Sequence, residues 1–205
     1  MEEKNTKEKI FDASLELFSQ KGFNNTSVRE IAREVGIKES SIYNHYSSKQ
    51  AIMDIILKTF EDYFNSFDEN KNHQMDELLD SDPMLFYRMG SEMFRQQLRN
   101  ERIMKLFRFF FIQMYQDEMI ADFFHKHILE EPLEFWTSIF SRLIEKGLIR
   151  KEFDPAVLAR EYYAYPMFLL MEIFIQNNSF PDDELDRLFE DAEQHVEFIL
   201  GAVRV

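Results

Sequence analysis

Apolar residues recur at helical spacing along most of the chain. The first such set is Ile10, Ala13, Leu17 and Phe18. Residues three and four positions apart share one face of an α-helix, so this set predicts an amphipathic helix. Asn5 and Glu8 have the spacing of a capping box, and Gly22 supplies a stop. The first helix is therefore predicted from about Asn5 to Lys21.

Two short helices and one long helix are predicted next. Ser27 and Glu30 form a second capping box, and Gly36 ends the helix that they open. A third helix covers about Lys38 to His45. Ser47, with Gln50 three residues later, is predicted to cap the long fourth helix. Its apolar positions are Ile52, Ile55, Ile56, Phe60, Tyr63 and Phe67.

The remaining chain is also helical in pattern. The polar stretch Asp68 to Glu77 is predicted to be a loop or a frayed helix end. Further helices are expected at about Asp82–Arg99, Glu101–Tyr115, Glu118–Lys146 with a break near Pro132, Asp154–Gln176, and Asp182–Val203. Asn177, Asn178 and Pro181 separate the last two. We predict an all-α protein with about nine helices and no strand.

Composition supports this class. Glycine and proline number five each in 205 residues, whereas sheet proteins use more turn residues. The absence of cysteine excludes disulfides, thiolate metal sites and cysteine nucleophiles. No apolar run resembles a secretion signal or reaches the roughly 18 residues of a membrane helix. These features predict a soluble, cytoplasmic protein that does not contact a membrane.

Charge divides the chain into two parts. Residues 1–58 hold nine basic and nine acidic residues, so the remainder carries the whole net charge of −14. Only the neutral N-terminal part could approach a phosphate backbone without broad repulsion.

The N-terminal pattern is that of a helix-turn-helix, in which two short helices follow a longer one. Ile37 and Ile42 are expected to anchor the third helix inward. The side chains left to face outward can donate to phosphates or contact base edges. They are Lys38, Ser40, Ser41, Tyr43, Asn44 and His45, and Lys49 is expected to point the same way. For any one of them, an ordinary surface position is an equally good interpretation.

The segment from Ile10 to Leu57 resembles the DNA-binding domain of TetR-family transcriptional regulators. The matching elements are Phe18-x-x-x-Gly22-Phe23, Thr26-Ser27-Val28-Arg29-Glu30-Ile31-Ala32, Val35-Gly36-Ile37, and Ile42-Tyr43-x-His45-Tyr46 followed by Lys49. Several spaced elements agree over almost fifty residues, which makes the resemblance specific. It implies a helix-turn-helix domain over residues 1–48 and a helical ligand-binding and dimerisation domain over residues 49–205.

The resemblance also implies roles for single residues. Positions that mostly hold phosphates in the family are Thr26, Ser27, Tyr43, His45 and Lys49. Positions that often face bases are Arg29, Lys38, Glu39, Ser40, Ser41 and Asn44. This chain departs from the pattern at Lys38, where a small hydroxyl cap is usual, and at Ser40, where glycine is common. Glu39 is expected to repel wrong sequences.

The acidic part is rich in large apolar side chains. Each of them is explained by core packing, but the resemblance implies a ligand cavity among these helices. Phenylalanine and methionine would suit a small lipophilic effector. The candidate lining residues are Phe60, Met89, Phe94, Phe107, Phe111, Met114, Phe124, Trp136 and Phe140, with Tyr87, Gln113, Tyr115, His125 and Tyr163 as polar contacts.

The last two helices are candidates for a homodimer interface. In the last helix, apolar residues follow the heptad spacing of helices that pack on partners. They are Leu185, Phe189, Ala192, Val196, Ile199 and Val203. The preceding helix contributes Tyr162, Pro166, Phe168 and Leu169. Closure of the protomer's own core is the alternative, although a two-fold operator requires a dimer in any case.

The sequence contains no motif for catalysis, a metal or a cofactor. Asp182–Asp186 spells DDxxD, but acidic residues after Pro181 also stabilise a helix N-terminus. His127 and Glu131 lack a third ligand. We predict a non-enzymatic regulator, most simply a repressor, that binds a palindromic operator in double-stranded DNA as a dimer and is released by the effector. The alternatives are a DNA-binding dimer controlled by a protein partner, without a small-molecule pocket, and a small-molecule-binding enzyme.

Overall fold

The computed structural model describes residues 5–69, 73–176 and 182–205. Eleven α-helices and one π-helical turn occupy most of these residues. The helices are α1 (Thr6–Lys21), α2 (Val28–Val35), α3 (Glu39–Ile42), α4 (Lys49–Glu69), α5 (His73–Ser81), α6 (Pro83–Leu98), α7 (Glu101–Gln113), α8 (Glu118–Phe124), α9 (Glu131–Glu145), α10 (Pro155–Gln176) and α11 (Asp182–Val203), with the π-helical turn at His125–Glu130. The predicted all-α class is confirmed, because these residues form no β-strand beyond an isolated bridge between Ile149 and Arg204.

Both N-terminal capping boxes form as predicted. The Asn5 side chain accepts from the Glu8 amide at 3.0 Å, and the Glu8 carboxylate accepts from the Asn5 amide at 3.1 Å. Ser27 and Glu30 make the same reciprocal pair at 3.2 and 2.8 Å. Each box satisfies two backbone N–H groups at a helix start.

Three local predictions are wrong. The third helix spans only Glu39–Ile42 rather than Lys38–His45. The fourth helix is capped by Ser48 and not by Ser47, since the Ser48 hydroxyl accepts from the Ala51 amide at 3.0 Å. Helix α5 starts inside the predicted loop, at His73, and buries Leu79.

The predicted break near Pro132 is present as the π-helical turn that precedes α9. Proline has no N–H, so it cannot bond to the Ile128 carbonyl four residues earlier. The Tyr163 hydroxyl donates to that carbonyl at 2.6 Å. The side chain thereby supplies the hydrogen bond that the proline removes. The predicted break at Asn177, Asn178 and Pro181 lies outside the described residues.

The chain divides into two compact units. Unit 1 comprises the residues up to Asp68 together with Asn100–Phe124, and unit 2 comprises Glu69–Arg99 together with His125–Val205. Helices α4 and α7 are thus grouped with the three N-terminal helices, whereas the sequence-based boundary lay at residue 48.

Unit 1 has a phenylalanine core. Phe18, Phe60, Phe107, Phe109 and Phe110 are almost fully buried. The Phe60 ring centroid lies 4.2 Å from that of Phe110 and 5.0 Å from that of Phe107. Aromatic pairs at such distances contribute beyond the area that they bury. Ring-to-ring contacts therefore hold together the described part of this unit's core.

Unit 2 has its own core, centred on Tyr162. The Tyr162 ring lies 4.0 Å from Trp136, 5.8 Å from Phe140 and 5.9 Å from Tyr87. Val196 and Val203 of α11 are buried in the same cluster. Among the described residues, no helix is both long enough and apolar enough to cross a lipid bilayer.

Candidate nucleic-acid interface

The surface around α3 carries most of the predicted DNA contacts. Tyr43 is 51% exposed. Exposed side chains also include Ser27, Arg29, Lys38, Glu39, Ser40, Asn44 and His45, whereas Ser41 is half-buried. Ile42 faces inward and is 1% exposed. A buried anchor beneath an exposed polar face is the arrangement that a recognition helix requires.

Helix α3 lacks a side-chain cap. Lys38 is the N-cap residue and makes no capping hydrogen bond, as its departure from the usual hydroxyl predicts. Ser40 does not need the glycine that is common at its position, because glycines alone have positive φ among the described residues. The Lys38 ammonium and the first turn of α3 therefore remain available to another group.

The N-terminus of α2 is held by a short charge network. The Glu30 carboxylate accepts from Lys21 Nζ at 2.5 Å and from the amide and hydroxyl of Ser27 at 2.8 Å each. These hydrogen bonds lower the Glu30 pKa to about 2. The bond from Lys21 is the largest cause, followed by the two bonds from Ser27. The Ser27 hydroxyl is thus engaged in capping as well as being exposed to solvent.

Thr26 is placed differently from the expectation. Its side chain is 2% exposed, and its hydroxyl donates to the Gly22 carbonyl at 2.8 Å. The hydroxyl therefore closes the turn between α1 and α2 and is not presented to a phosphate. A threonine seen only as letters is compatible with either use, which is why the sequence did not separate them.

Lys49 also points to this turn rather than outward. Its ammonium donates to the carbonyls of Phe23 and Thr26 at 2.8 Å each and lies 4.1 Å from the centroid of the Phe23 ring. Burial lowers the Lys49 pKa from its ordinary value. The expected outward orientation is wrong, because the ammonium satisfies carbonyl groups that the turn leaves without helical partners.

Helix α7 supports the N-terminal helices from within unit 1. Arg102 forms an ion pair with Asp12 at 2.6 Å, and Lys105 forms one with Glu16 at 2.7 Å. The Lys105 bond lowers the Glu16 pKa, and Glu16 in turn raises that of Lys105. No sequence signal pointed to these pairs, since the partners lie about ninety residues apart.

The residues predicted to line a ligand cavity do not form one group within either unit. Unit 1 holds Phe60, Phe107, Phe111, Gln113, Met114, Tyr115 and Phe124, and unit 2 holds Tyr87, Met89, Phe94, His125, Trp136, Phe140 and Tyr163. Phe60 and Phe107 are ring-packed core. Tyr115 is 84% exposed, and Met89 and His125 are exposed as well. These three are corrections, because solvent-facing side chains cannot line a closed cavity.

A small void lies inside unit 2. Its volume is about 20 Å³, and its walls include the predicted residues Tyr87, Trp136 and Phe140. Tyr162, Phe86 and Leu79 are among the other aromatic and aliphatic residues that line it. A void of this size holds about one water molecule. The predicted contact Tyr163 uses its hydroxyl on Ile128 instead.

The heptad seam of α11 packs inside its own protomer. Leu185, Ala192, Val196 and Val203 are each at most 6% exposed, while Phe189 and Ile199 are half-buried. On α10, Tyr162 and Leu169 are buried and Pro166 is half-buried. The six buried residues close the protomer's own core, whereas a role of Phe189, Ile199, Pro166 and Phe168 in a dimer interface stays a prediction. Heptad spacing identifies residues on one face but does not tell which partner covers that face.

A different apolar face of α10 and α11 is open to solvent. Phe198 is 72% exposed, Phe168 54% and Met171 42%. Ala164, Gly201 and Ala202 are small exposed residues on the same two helices. We call these six residues the α10–α11 face. Exposed aromatic rings on neighbouring helices are typical of interaction surfaces.

His127 and Glu131 meet as a hydrogen-bonded pair. The His127 Nδ1 atom lies 2.8 Å from a Glu131 carboxylate oxygen, within the π-helical turn and the start of α9. No group of three or more metal-ligating side chains was found among the described residues.

The chain is similar to known regulators in two ways. Residues 10–55 match the family described as "Bacterial regulatory proteins, tetR family". Over 76 residues the chain is 40% identical to IcaR of Staphylococcus aureus, a negative transcriptional regulator of the biofilm operon icaADBC; this match covers 35% of the chain and 41% of IcaR. The matched part of the chain thus spans about two fifths of the length of this relative.

Solved structures resemble the whole chain. SmeT, the repressor of the Stenotrophomonas maltophilia multidrug efflux pump SmeDEF, superposes with a TM-score of 0.62 at 21% identity, covering 98% of this chain and 92% of SmeT. NalD, a repressor of the MexAB-OprM efflux pump in Pseudomonas aeruginosa, gives a TM-score of 0.63 at 21% identity, covering 97% and 95%. These similarities establish the fold that the chain shares with these two repressors.

Fold and surface together define a helix-turn-helix protein with a helical C-terminal body. The match of the N-terminal residues names a family for this part of the chain. The family that matches over residues 10–55 is the TetR family of bacterial regulatory proteins.

Proposed function

We propose that this protein is a transcriptional repressor that binds a palindromic operator as a homodimer. The observation that carries the proposal is the exposed polar face of α2 and α3, with Ile42 buried beneath it. Arg29, Lys38, Tyr43 and Asn44 are exposed on this face and take no part in packing. The similarity of the N-terminal residues to IcaR, a negative regulator, favours repression over activation.

Side-chain chemistry suits both kinds of DNA contact. Tyr43, His45 and Lys38 can donate to phosphate oxygens, which position the protein on the duplex. Arg29 and Asn44 match the side chains that read guanine and adenine in the major groove. Residues 1–58 are neutral while the rest of the chain is strongly acidic, so repulsion favours approach through the N-terminal face.

The homodimer is proposed to form through the α10–α11 face. Phe198 and Phe168 offer aromatic area, and the small residues Gly201 and Ala202 allow two helices to approach closely. A recognition helix on each of two protomers would then engage half-sites that are roughly 34 Å apart.

A small lipophilic effector is proposed to release the protein from DNA. Support comes from the aromatic walls around the void in unit 2 and from the structural neighbour SmeT, which has been solved as a complex with triclosan. A typical ligand pocket has a volume of roughly 300–1,000 Å³. The void would therefore have to open, and the effector must favour the open, DNA-incompetent state.

Selection from a random duplex pool tests the DNA-binding function. We expect enrichment of an inverted repeat that the purified protein binds more tightly than a scrambled duplex of equal length. Arg29→Ala with Asn44→Ala should reduce this preference. Gln20→Ala with Gln116→Ala, two exposed positions away from α2 and α3, should leave the preference unchanged. Equal affinity for selected and scrambled duplexes would contradict the proposal.

The effector is tested on the same duplex. A panel of lipophilic compounds that includes triclosan is added to the protein–operator complex, and release is followed by fluorescence anisotropy. Trp136→Leu should reduce the response to any active compound while operator affinity stays unchanged. No release by any compound would contradict the effector proposal and favour control by a protein partner instead.

A further inference from the structure

Gln113 is a buried polar residue at the end of α7 that contacts the turn before α2. Its side chain is 1% exposed. The Oε1 atom accepts a hydrogen bond from the backbone amide of Phe23 at 3.2 Å. Phe23 lies ninety positions earlier in the chain, so this bond joins two distant segments of unit 1.

The turn fits closely around this amide. A Cβ atom built on Gly22 would lie 2.7 Å from Gln113 Nε2, and Gly22 has a φ of +89°. Any side chain at position 22 would therefore meet both backbone strain and the Gln113 amide. Glycine at this position allows the backbone of the turn to pack directly on Gln113.

The amide nitrogen of Gln113, Nε2, is in an unusual environment. Within the part of the chain that the structure describes, Nε2 is buried without a hydrogen-bond acceptor. Buried polar atoms without a partner are rare in native structures, and each one calls for an explanation. Leucine has a similar volume and would avoid the unsatisfied donor, so packing alone does not account for glutamine here.

The opposite side of the turn is held by α4. Lys49 donates to the Phe23 and Thr26 carbonyls, and the Thr26 hydroxyl donates to the Gly22 carbonyl. Phe23 is thus bound through its N–H by Gln113 and through its C=O by Lys49. Helix α2 begins at Val28, directly after this turn. The turn therefore sets where the DNA-facing helices begin.

We propose that Gln113 is a positioning residue for DNA binding: its side chain holds the Gly22–Thr26 turn so that α2 and α3 present their exposed faces together. This inference rests on the proposed function. Gln113 contacts no DNA in this scheme and acts through the Phe23 amide. A displacement of α7 would move the turn, and with it the start of α2.

Gln113→Leu removes the acceptor while keeping the volume. We expect the folded variant to bind the selected operator at least tenfold more weakly than the wild type. Hydrogen exchange at the Phe23 amide should be faster, because this amide has lost its acceptor.

Two matched variants make the test specific. Burial favours the neutral form of the carboxyl in Gln113→Glu, which keeps the size of glutamine and an acceptor for the Phe23 amide, so this variant should restore affinity to within threefold of the wild type. Gln116→Leu makes the same side-chain change at an exposed position just beyond α7 and should have no effect. If Gln113→Leu fails to fold, Gln113→Asn is used, since it is one methylene too short to reach Phe23 and carries the same expectation.

The outcomes separate this inference from the proposed function. A wild type that prefers no duplex contradicts the proposed function itself. A wild type that binds its operator while Gln113→Leu binds equally well overturns the positioning role. A weaker Gln113→Leu whose Phe23 amide exchanges no faster than in the wild type also overturns it, because the loss would then not act through that amide.

Discussion

At the scale of single residues, some side chains that the sequence suggests for DNA contact instead donate hydrogen bonds to backbone carbonyls. Thr26 and Lys49 both bond to carbonyls of the turn between α1 and α2. In unit 2, the Tyr163 hydroxyl likewise donates to a backbone carbonyl, that of Ile128. Backbone polar groups left without partners are costly when buried, so a nearby donor is used for them first. The exposed donors Arg29, Lys38 and Tyr43 are among those that remain available for DNA.

Tyr163→Phe tests the repair of the Pro132 break. The change removes only the hydroxyl and leaves the Ile128 carbonyl without its 2.6 Å donor. We expect a loss of roughly 1–3 kcal/mol in the free energy of unfolding, the usual cost of an unsatisfied buried group. Urea denaturation measures it, with Tyr43→Phe at an exposed position as the control. Equal unfolding free energies for Tyr163→Phe and the wild type would contradict this role.

The Glu30 network predicts a dependence of stability on pH. The pKa of Glu30 falls from an ordinary 4.5 to about 2 in the folded protein. A lowered folded-state pKa gives stability that is present above the ordinary value and is lost as the pH falls toward about 2. Glu30→Gln should therefore flatten the fall in the urea midpoint below pH 4.5. Glu34→Gln on the same helix serves as the control, and an identical pH profile for Glu30→Gln and the wild type would refute the network's contribution.

At the scale of elements, local chemistry decided what the sequence could predict. The capping boxes at Asn5 and Ser27 involve residues three positions apart, and both form. The length of α3 and the placement of Lys49 depend on contacts between helices, and both were mispredicted. The Gln113 bond joins segments ninety residues apart. A single sequence has no period or motif that reports such a contact.

The uncapped start of α3 gives a prediction with two opposite effects. Lys38→Thr supplies a hydroxyl at an N-cap that has no side-chain bond and should stabilise the protein by about 1 kcal/mol. The same change removes a charge from the DNA-facing surface, so operator affinity and its salt slope should fall. Lys38→Gln removes the charge with a poorer cap. It should reproduce only the loss of affinity, whereas equal stability of Lys38→Thr and Lys38→Gln would contradict the capping argument.

At the scale of the whole molecule, the distinction between core and interface was the hardest to draw from sequence. Val196 and Val203 have the spacing of a dimer seam and yet close the core of unit 2. Phe198 belongs to no predicted seam and is 72% exposed. A helix with apolar residues on two faces can bury one face internally and leave the other for a second copy. The periodicity of one face says nothing about the other.

Phe198→Glu tests the α10–α11 face. A carboxylate at the centre of a paired surface would be desolvated without a partner, so we expect a monomer at concentrations at which the wild type is a dimer. Operator affinity should fall at least tenfold, while the far-ultraviolet circular dichroism stays that of a helical protein. Met93→Glu makes a similar change at a residue that is 40% exposed on α6. Dissociation of the dimer by Met93→Glu but not by Phe198→Glu would contradict the proposed role of the α10–α11 face.

The mass of the protein–DNA complex on the selected duplex tests the central claim most directly. Sedimentation of the purified protein with that duplex should give two protomers per inverted repeat. A duplex with only one half-site should bind far more weakly. A complex that contains one protomer, or the same complex on a scrambled duplex, would contradict the account of a dimeric, sequence-reading repressor.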